Sequence, residues 1–226
     1  MEKGIRIAID GPAAAGKSTI AKLAAETLGY TYIDTGAMYR AITYKAIREN
    51  INIGQAEDLA ELLNRTEIRL VPSLSGQAVL LDGEDVSEDI RTREVTSSVS
   101  EVASHRQVRE AMVERQQEMV KNGSVVMDGR DIGTQVIPDA ELKIFMSASV
   151  EERAKRRQLE NEKRGIPSSI EVLQQEIELR DKMDSEREVS PLKKAEDAIY
   201  IDTTRMTIEQ AAGEIIRLAR ERIERA

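Results

Sequence analysis

The chain has no cysteine and no tryptophan, and only one histidine and one phenylalanine among its 226 residues. Without thiols it forms no disulfide and no thiolate metal site, which suits a reducing compartment, so a cytoplasmic location is expected. The lone His105 cannot build a histidine-rich metal site and reads as a surface or packing residue. Aromatic residues make up 3% of the chain, so a base-stacking platform for nucleic acid is not expected, and Ile, Leu, Val, Ala and Met must fill the core. Met112 and Met119, seven apart in a helical pattern, read as such filler. No apolar run approaches the ~18 residues of a membrane span, and the opening residues read as a strand and a loop instead of a targeting signal. No membrane partner is expected.

Positive charge is also in the minority, with 33 Lys and Arg against 41 Asp and Glu and a net charge of -8. That balance disfavours broad binding of polyanions and leaves anionic ligands to a focused cluster of arginines. With 40% hydrophobic and 33% charged residues the chain is globular, and its length suits one domain over 1–226 with appendages. A monomer is expected.

What is present begins at Gly11-Pro12-Ala13-Ala14-Ala15-Gly16-Lys17-Ser18, directly after the apolar run Ile5 to Ile9. This is a G-x-x-x-x-G-K-[ST] phosphate-binding loop, and it makes a nucleotide the expected ligand. Its glycines let the backbone close around an anion so that consecutive N–H groups face it. Lys17 supplies a point charge toward the β- and γ-phosphates, Ser18 offers a hydroxyl to Mg²⁺, and the helix that starts here adds its unpaired N–H groups and dipole.

Apolar runs alternate with helical patterns in the order of a parallel sheet covered by helices, an α/β doubly wound architecture. Strands are expected at Ile5 to Asp10, Thr31 to Asp34, Ser124 to Asp128, Glu141 to Met146 and Ala198 to Asp202. Helices are expected at Lys17 to Leu28, Ala37 to Arg48, Val108 to Lys121, Val150 to Lys163, Ile170 to Met183 and Ile208 to Arg225. Ser149 with Glu152, Ser168 with Glu171 and Thr207 with Gln210 have capping-box spacing. Short strands at Glu67 to Val71, Ala78 to Leu81 and Glu84 to Val86, with the hairpin signal Asp82-Gly83, predict a small antiparallel β insertion.

A phosphate loop alone does not separate a motor, a switch GTPase and a small-molecule kinase. The strand Val125 to Asp128 runs into Gly129-Arg130-Asp131 with no evident base for water, and no N-K-x-D guanine motif is present. Both observations favour a kinase. Asp34-Thr35-Gly36-Ala37-Met38-Tyr39-Arg40 is either a second phosphate-binding helix start or an ordinary strand-to-helix turn with Arg40 in solvent. Arg153, Arg156 and Arg157 project from one helical face, as a ligand-covering surface or as a solvated face paired with Glu152 and Glu160.

The strings GPAAAGKST, DTGAMYR, EDIRTREV with VRE, DGRDIGT and ELRDKMDSER resemble, in order and over nearly the whole chain, the bacterial cytidylate kinases. The resemblance implies a P-loop kinase fold with a five-stranded parallel sheet, ATP with Mg²⁺ as donor and CMP or dCMP as acceptor. It implies that residues 60–95 hold the monophosphate-binding insertion and 150–167 a helical lid. Gly11, Pro12, Ala13, Ala14, Ala15, Gly16, Lys17, Ser18 and Thr19 would bind ATP, with Ser18 toward the metal. Thr35, Gly36, Tyr39, Arg40, Arg109 and Arg130 would lie at the acceptor. Ser100, Asp131 and Arg187 would read the cytosine edge, and Arg180 and Asp184 the sugar or phosphate. Lys17, Arg130, Arg180, Arg153 and Arg157 would neutralise the moving phosphoryl group.

Asp131 matters most for selectivity, because a carboxylate accepts from the amino group of cytosine and opposes the carbonyl of uracil. Without the resemblance it reads equally as a structural cap of the next turn, and Arg109 reads as a solvated residue on a charged helix. Thr35 replaces a serine of some relatives and keeps the hydroxyl. A kinase for UMP, AMP or another small acceptor, and a nucleotide-binding module without transfer, are the other readings.

Overall fold

The computed structural model describes residues 4–73, 76–121 and 123–225. In chain order it contains β1 (Arg6–Asp10), α1 (Lys17–Leu28), β2 (Thr31–Asp34), α2 (Thr35–Arg48), α3 (Ala56–Asn64), β3 (Ile68–Ser73), β4 (Gly76–Leu81) and β5 (Glu84–Asp85). There follow α4 (Arg93–Val102), α5 (Arg106–Met119), β6 (Val125–Gly129), β7 (Leu142–Ser147), α6 (Val150–Lys163), α7 (Ile170–Glu186), β8 (Ile199–Asp202) and α8 (Ile208–Ile223). A 3-10 turn at Asp89–Arg91 precedes α4, and a π-helical turn at Ile132–Val136 follows β6. Five strands form one sheet in the order β2-β6-β1-β7-β8, and β3, β4 and β5 form a second. β1 pairs in parallel with β6 and β7, and β7 with β8, whereas the second sheet is antiparallel. The doubly wound α/β architecture expected of a P-loop kinase is therefore present.

The chain divides into two compact units, Met1–Tyr32 with Gly123–Glu186 and Pro191–Ala226, and Ile33–Asn122 with Arg187–Ser190. In the first, Ile7, Ile9, Val126, Leu142, Ile144 and Met146 project from one face of the sheet onto Ile20, Ala21 and Ala24 of α1 and Ala212, Ile215 and Ala219 of α8. Alternation along each strand puts these residues on one side, and the alanines let the helices lie close to it. The opposite alternation sends Asp10 to the other face. A smaller cluster of Ala154, Leu173 and Ile177 joins α6 to α7, with Ala14 of the phosphate loop against it.

In the second unit, Met38 and Ile42 of α2, Leu59, Leu62 and Leu63 of α3, Val79 and Leu81 of β4, Val99 of α4 and Met112 of α5 share one core. Met112 is filler, as the pattern predicts, and Met119 packs partly buried beside it. Asp82 and Gly83 take φ of 51° and 89°, the paired positive angles of a tight hairpin. Residues 74 and 75 of the expected insertion lie outside the described residues.

Most expected boundaries agree within two residues, but several details differ. Helix α2 begins at Thr35 instead of Ala37, because the Asp34 carboxylate accepts from the Ala37 N–H and starts the helix early. Ser169, not Ser168, caps α7: its hydroxyl accepts from the Val172 N–H at 3.3 Å. Helices α3 and α4 were not expected. The apolar stripe of α3 is short, and α4 is rich in serine, threonine and valine, which dilute helical propensity.

Candidate active site

The phosphate loop leaves β1 with positive φ at Gly11, Ala14 and Gly16, 150°, 58° and 90°. At Gly11 a Cβ would sit 2.1 Å from the Met146 carbonyl oxygen, so the loop exits between strands only because that carbon is missing. Gly16 is the left-handed residue from which α1 starts, and it presents the first N–H groups of the helix at the loop. Lys17 is buried and donates to the Pro12 carbonyl at 2.8 Å, curling over the loop. Burial pushes its ammonium down to about 7, helped by the nearby charges of Arg130 and Arg180, while Asp128 and Asp10 oppose the shift. Ser18 donates to one oxygen of Asp128 at 2.9 Å, and the Tyr32 hydroxyl donates to the other at 2.8 Å.

The two strand-terminal aspartates point to opposite faces and do different work. Asp128 of β6 meets Ser18. Asp10 of β1 accepts from the N–H groups of Ile132 and Gly133, both at 2.8 Å, and so buckles the turn after Arg130-Asp131 to the root of the phosphate loop. Burial lifts the Asp10 carboxyl to about 7, against the pull of those two amides.

Arg130 donates to Asp184 of α7 at 2.9 Å and to the Gly129 carbonyl at 3.3 Å. Burial works against its charge, but Asp184, with Asp128 and Asp181, outweighs that and raises its proton affinity. Asp131 is buried, and its side chain makes no cap bond to the turn after it, whose N–H groups at Gln135 and Val136 go to the Asp131 main-chain carbonyl. The purely structural reading of Asp131 as a side-chain cap thus fails.

Helix α6 lies along the outside of the loop. Arg153 donates to the Ala13 and Ala148 carbonyls at 3.1 and 2.9 Å and to Asp181 at 2.6 Å. Arg156 donates to the Ala15 carbonyl at 3.2 Å and to Glu152 at 3.0 Å, and Arg157 to Glu160 at 3.2 Å. Both glutamate pairings that the sequence allows are made. The structure thus brings together, in the first unit, the loop, Lys17, Ser18, Arg130, Asp131, Arg153, Arg180 and Asp184.

The second unit gathers its own set. Thr35, Gly36, Tyr39 and Arg40 occupy the first two turns of α2, and Arg40 donates to Thr96 of α4 at 2.9 Å, one turn before Ser100. Arg109 is 1% exposed, its guanidinium stacked 5.1 Å from the centre of the Tyr39 ring, and it reaches the Ala103 carbonyl at 3.4 Å. A solvated Arg109 is therefore excluded. Arg187 donates to the Ser190 carbonyl at 2.7 Å. His105 faces the Ile53 carbonyl at 2.7 Å in a packing role.

Sequence reasoning passed over Asp10, Asp181, Thr96 and Thr203. The first had a signal, an acidic residue ending a strand directly before the loop; the others act on groups distant in sequence and leave no local pattern.

Comparison with known proteins gives a consistent result. The family model described as cytidylate kinase matches residues 7–221. A cytidylate kinase of Lysinibacillus sphaericus (strain C3-41) is 63% identical over 223 residues, 99% of this chain and 100% of that protein. One of Bacillus subtilis (strain 168) is 61% identical over 216 residues, 96% of each chain. Among solved structures, an uncharacterized protein from Eubacterium ventriosum ATCC 27560 superposes with a TM-score of 0.52 at 14% identity, covering 97% of this chain and 99% of that one, a likeness of fold alone.

Proposed function

The chain belongs to the cytidylate kinase family, and from that premise we propose how its residues carry out the transfer of the γ-phosphoryl of ATP to CMP or dCMP, giving ADP and CDP or dCDP. The attacking oxygen belongs to a phosphate already ionised near neutral pH, so no general base is needed. Catalysis then rests on alignment and on charge neutralisation.

The observation that carries the reading is the crowding of Lys17 by Arg130 and Arg180 in a buried setting. Arg130 is already answered by Asp184, so the cations are held in place in advance, and donor phosphates arriving beside Lys17 supply the anion that restores its charged form. Residues 11–19 hold ATP, with loop N–H groups and Lys17 on its phosphates. Lys17, Arg130, Arg180, Arg153 and Arg157 spread the charge that develops on the moving group, Arg153 from its seat on Ala13 and Arg157 by leaving Glu160. Thr35, Gly36, Tyr39, Arg40, Ser100, Arg109, Arg130, Asp131, Arg180, Asp184 and Arg187 serve the acceptor. Residues 60–95 act as the monophosphate-binding insertion and 150–167 as the lid.

The Ser18 hydroxyl and Asp128 carboxylate, 2.9 Å apart, are hard oxygen donors suited to Mg²⁺. Among the described residues no group of three or more His, Cys, Asp or Glu could by itself hold a metal ion. When bound, Mg²⁺ screens the donor phosphates. No helix among the described residues is long and apolar enough to cross a membrane. The same reading makes the protein a cytoplasmic monomer acting on small nucleotides, without nucleic-acid or membrane partners.

A coupled assay of ADP formation with CMP, dCMP, UMP, AMP and GMP tests this, repeated with Asp131→Asn. CMP and dCMP are expected to lead. The substitution should lower kcat/KM for CMP by about 10- to 100-fold and narrow the margin over UMP. A preference for UMP or AMP would remove the acceptor assignment; unchanged selectivity in the variant would remove Asp131 as the base reader.

A further inference from the structure

The phosphate loop is gripped from behind at two alternate carbonyls. Arg153 holds that of Ala13 at 3.1 Å, and Arg156 holds that of Ala15 at 3.2 Å. The second grip is shared: the hydroxyl of Thr203, just past β8, lies 3.3 Å from the same Ala15 oxygen. Arg156 donates to that hydroxyl at 3.1 Å and to the Thr203 carbonyl at 2.7 Å, so the two side chains are locked together. Thr203 is in turn fixed to β7 through its N–H, 2.8 Å from the Ser147 carbonyl, which at 3.0 Å also competes with Ala15 for the single hydroxyl proton. Thr203 is 1% exposed, and neither it nor Arg156 belongs to the phosphate-binding motif.

A planar trans peptide points its C=O and its N–H in opposite directions. Pinning the Ala15 carbonyl outward therefore turns the N–H of Gly16 to the inner side of the loop, and the Ala13 grip does the same for Ala14. The left-handed φ of Ala14 and Gly16 completes this alternation, the backbone form that concentrates N–H groups on an anion. A charged donor on the carbonyl also polarises the peptide and strengthens its N–H as a donor.

We propose that Arg156 and Thr203 are positioning residues for the donor nucleotide, acting through the Ala15–Gly16 peptide and without touching the nucleotide themselves. This rests on the reading of the loop as the ATP phosphate site. Two consequences separate it from a direct contact. The effect must be blind to base and ribose, and the two residues must act as one unit because they share one carbonyl.

The test uses Thr203→Val, Thr203→Ser, Arg156→Met and the double variant Thr203→Val with Arg156→Met in the full chain. Readouts are KM for ATP and for CMP, competitive inhibition by inorganic tripolyphosphate, and the amide ¹⁵N–¹H resonance of Gly16 in the nucleotide-free protein. Thr203→Val and Arg156→Met are each expected to raise the KM for ATP about tenfold and to weaken tripolyphosphate by the same factor, with the KM for CMP unchanged. Thr203→Ser should restore both values, the double variant should be no worse than the worse single, and the Gly16 amide should shift in each impaired variant.

Undiminished inhibition by tripolyphosphate, additive losses in the double variant, or an unmoved Gly16 amide would overturn the proposal. So would parallel losses for ATP and CMP that Thr203→Ser does not rescue. Lys17→Ala serves as the reference for the loop itself. Because Lys17→Ala removes a catalytic charge, its affinity for tripolyphosphate is read by calorimetric titration: if binding is intact, the underlying site reading fails; if it is lost while Thr203→Val binds as the parent does, only the positioning role fails.

Discussion

At the scale of single residues, the proton on Lys17 reports on the site. Burial, then repulsion from Arg130, brings its ammonium down to about 7. A bound triphosphate favours the charged form and raises that value again. At pH 8 the free protein therefore starts with Lys17 largely neutral and finishes with it charged, whereas at pH 6 it is charged throughout. ATP binding is expected to take up more protons at pH 8 than at pH 6, with affinity weakening as pH rises from 7 to 8, and Lys17→Met should remove the share of Lys17 while leaving that of Asp10. Calorimetric titrations in buffers of different ionisation enthalpy measure the uptake directly, and none at pH 8 would contradict the assignment. Lys17 and Ser18 are legible in the sequence because their spacing from the loop glycines is fixed by the anion they serve. Arg109 is not: only the packing of α5 beside α2 slides its guanidinium under Tyr39, and a helix pattern rich in Glu, Gln and Arg hides that.

At the scale of elements, legibility followed capping and periodicity. Helix α8 has its complete capping box, Thr207 accepting from the Gln210 N–H at 3.2 Å and Gln210 accepting from the Thr207 N–H at 2.9 Å. Thr207→Ala is expected to lower unfolding stability by about 1 kcal/mol with the KM values unchanged, as chemical denaturation beside steady-state kinetics would show. Where caps compete, the sequence misleads. Ser168 and Ser169 both precede the apolar run of α7, and one residue decides which hydroxyl meets an N–H; Ser169 takes Val172, leaving the Ser168 oxygen buried without a hydrogen-bond partner. Helix α3 was missed because nine residues give only Leu59, Leu62 and Leu63 as its stripe, too few to separate from a loop before tertiary packing is known.

At the scale of the whole molecule, an acidic chain must hold two anionic substrates, so its binding free energy is concentrated where cations are gathered against the overall charge of -8. Mass action gives this a measurable size. ATP with Mg²⁺ at a hundred times its Kd should stabilise the fold by about 2.7 kcal/mol, raising Tm by roughly 5–10 °C in calorimetry. Adenosine should give little, and an equal shift with adenosine would mean that the phosphates are not the main contact. The parallel sheet is legible at this scale because short apolar segments, most of them ending in an acidic or small residue, alternate with helical patterns along the chain. The extent of the second unit, Ile33–Asn122 with Arg187–Ser190, is not, since its boundary is set by the shared interior of α2, α3, α4 and α5 and not by any linker composition.

Ala14 sits at a φ of 58° that glycine would adopt freely. A methyl group disfavours that angle, so the folded chain holds Ala14 there against its local preference. The strain is met when the chain folds, and an arriving phosphate finds the inward N–H groups already set.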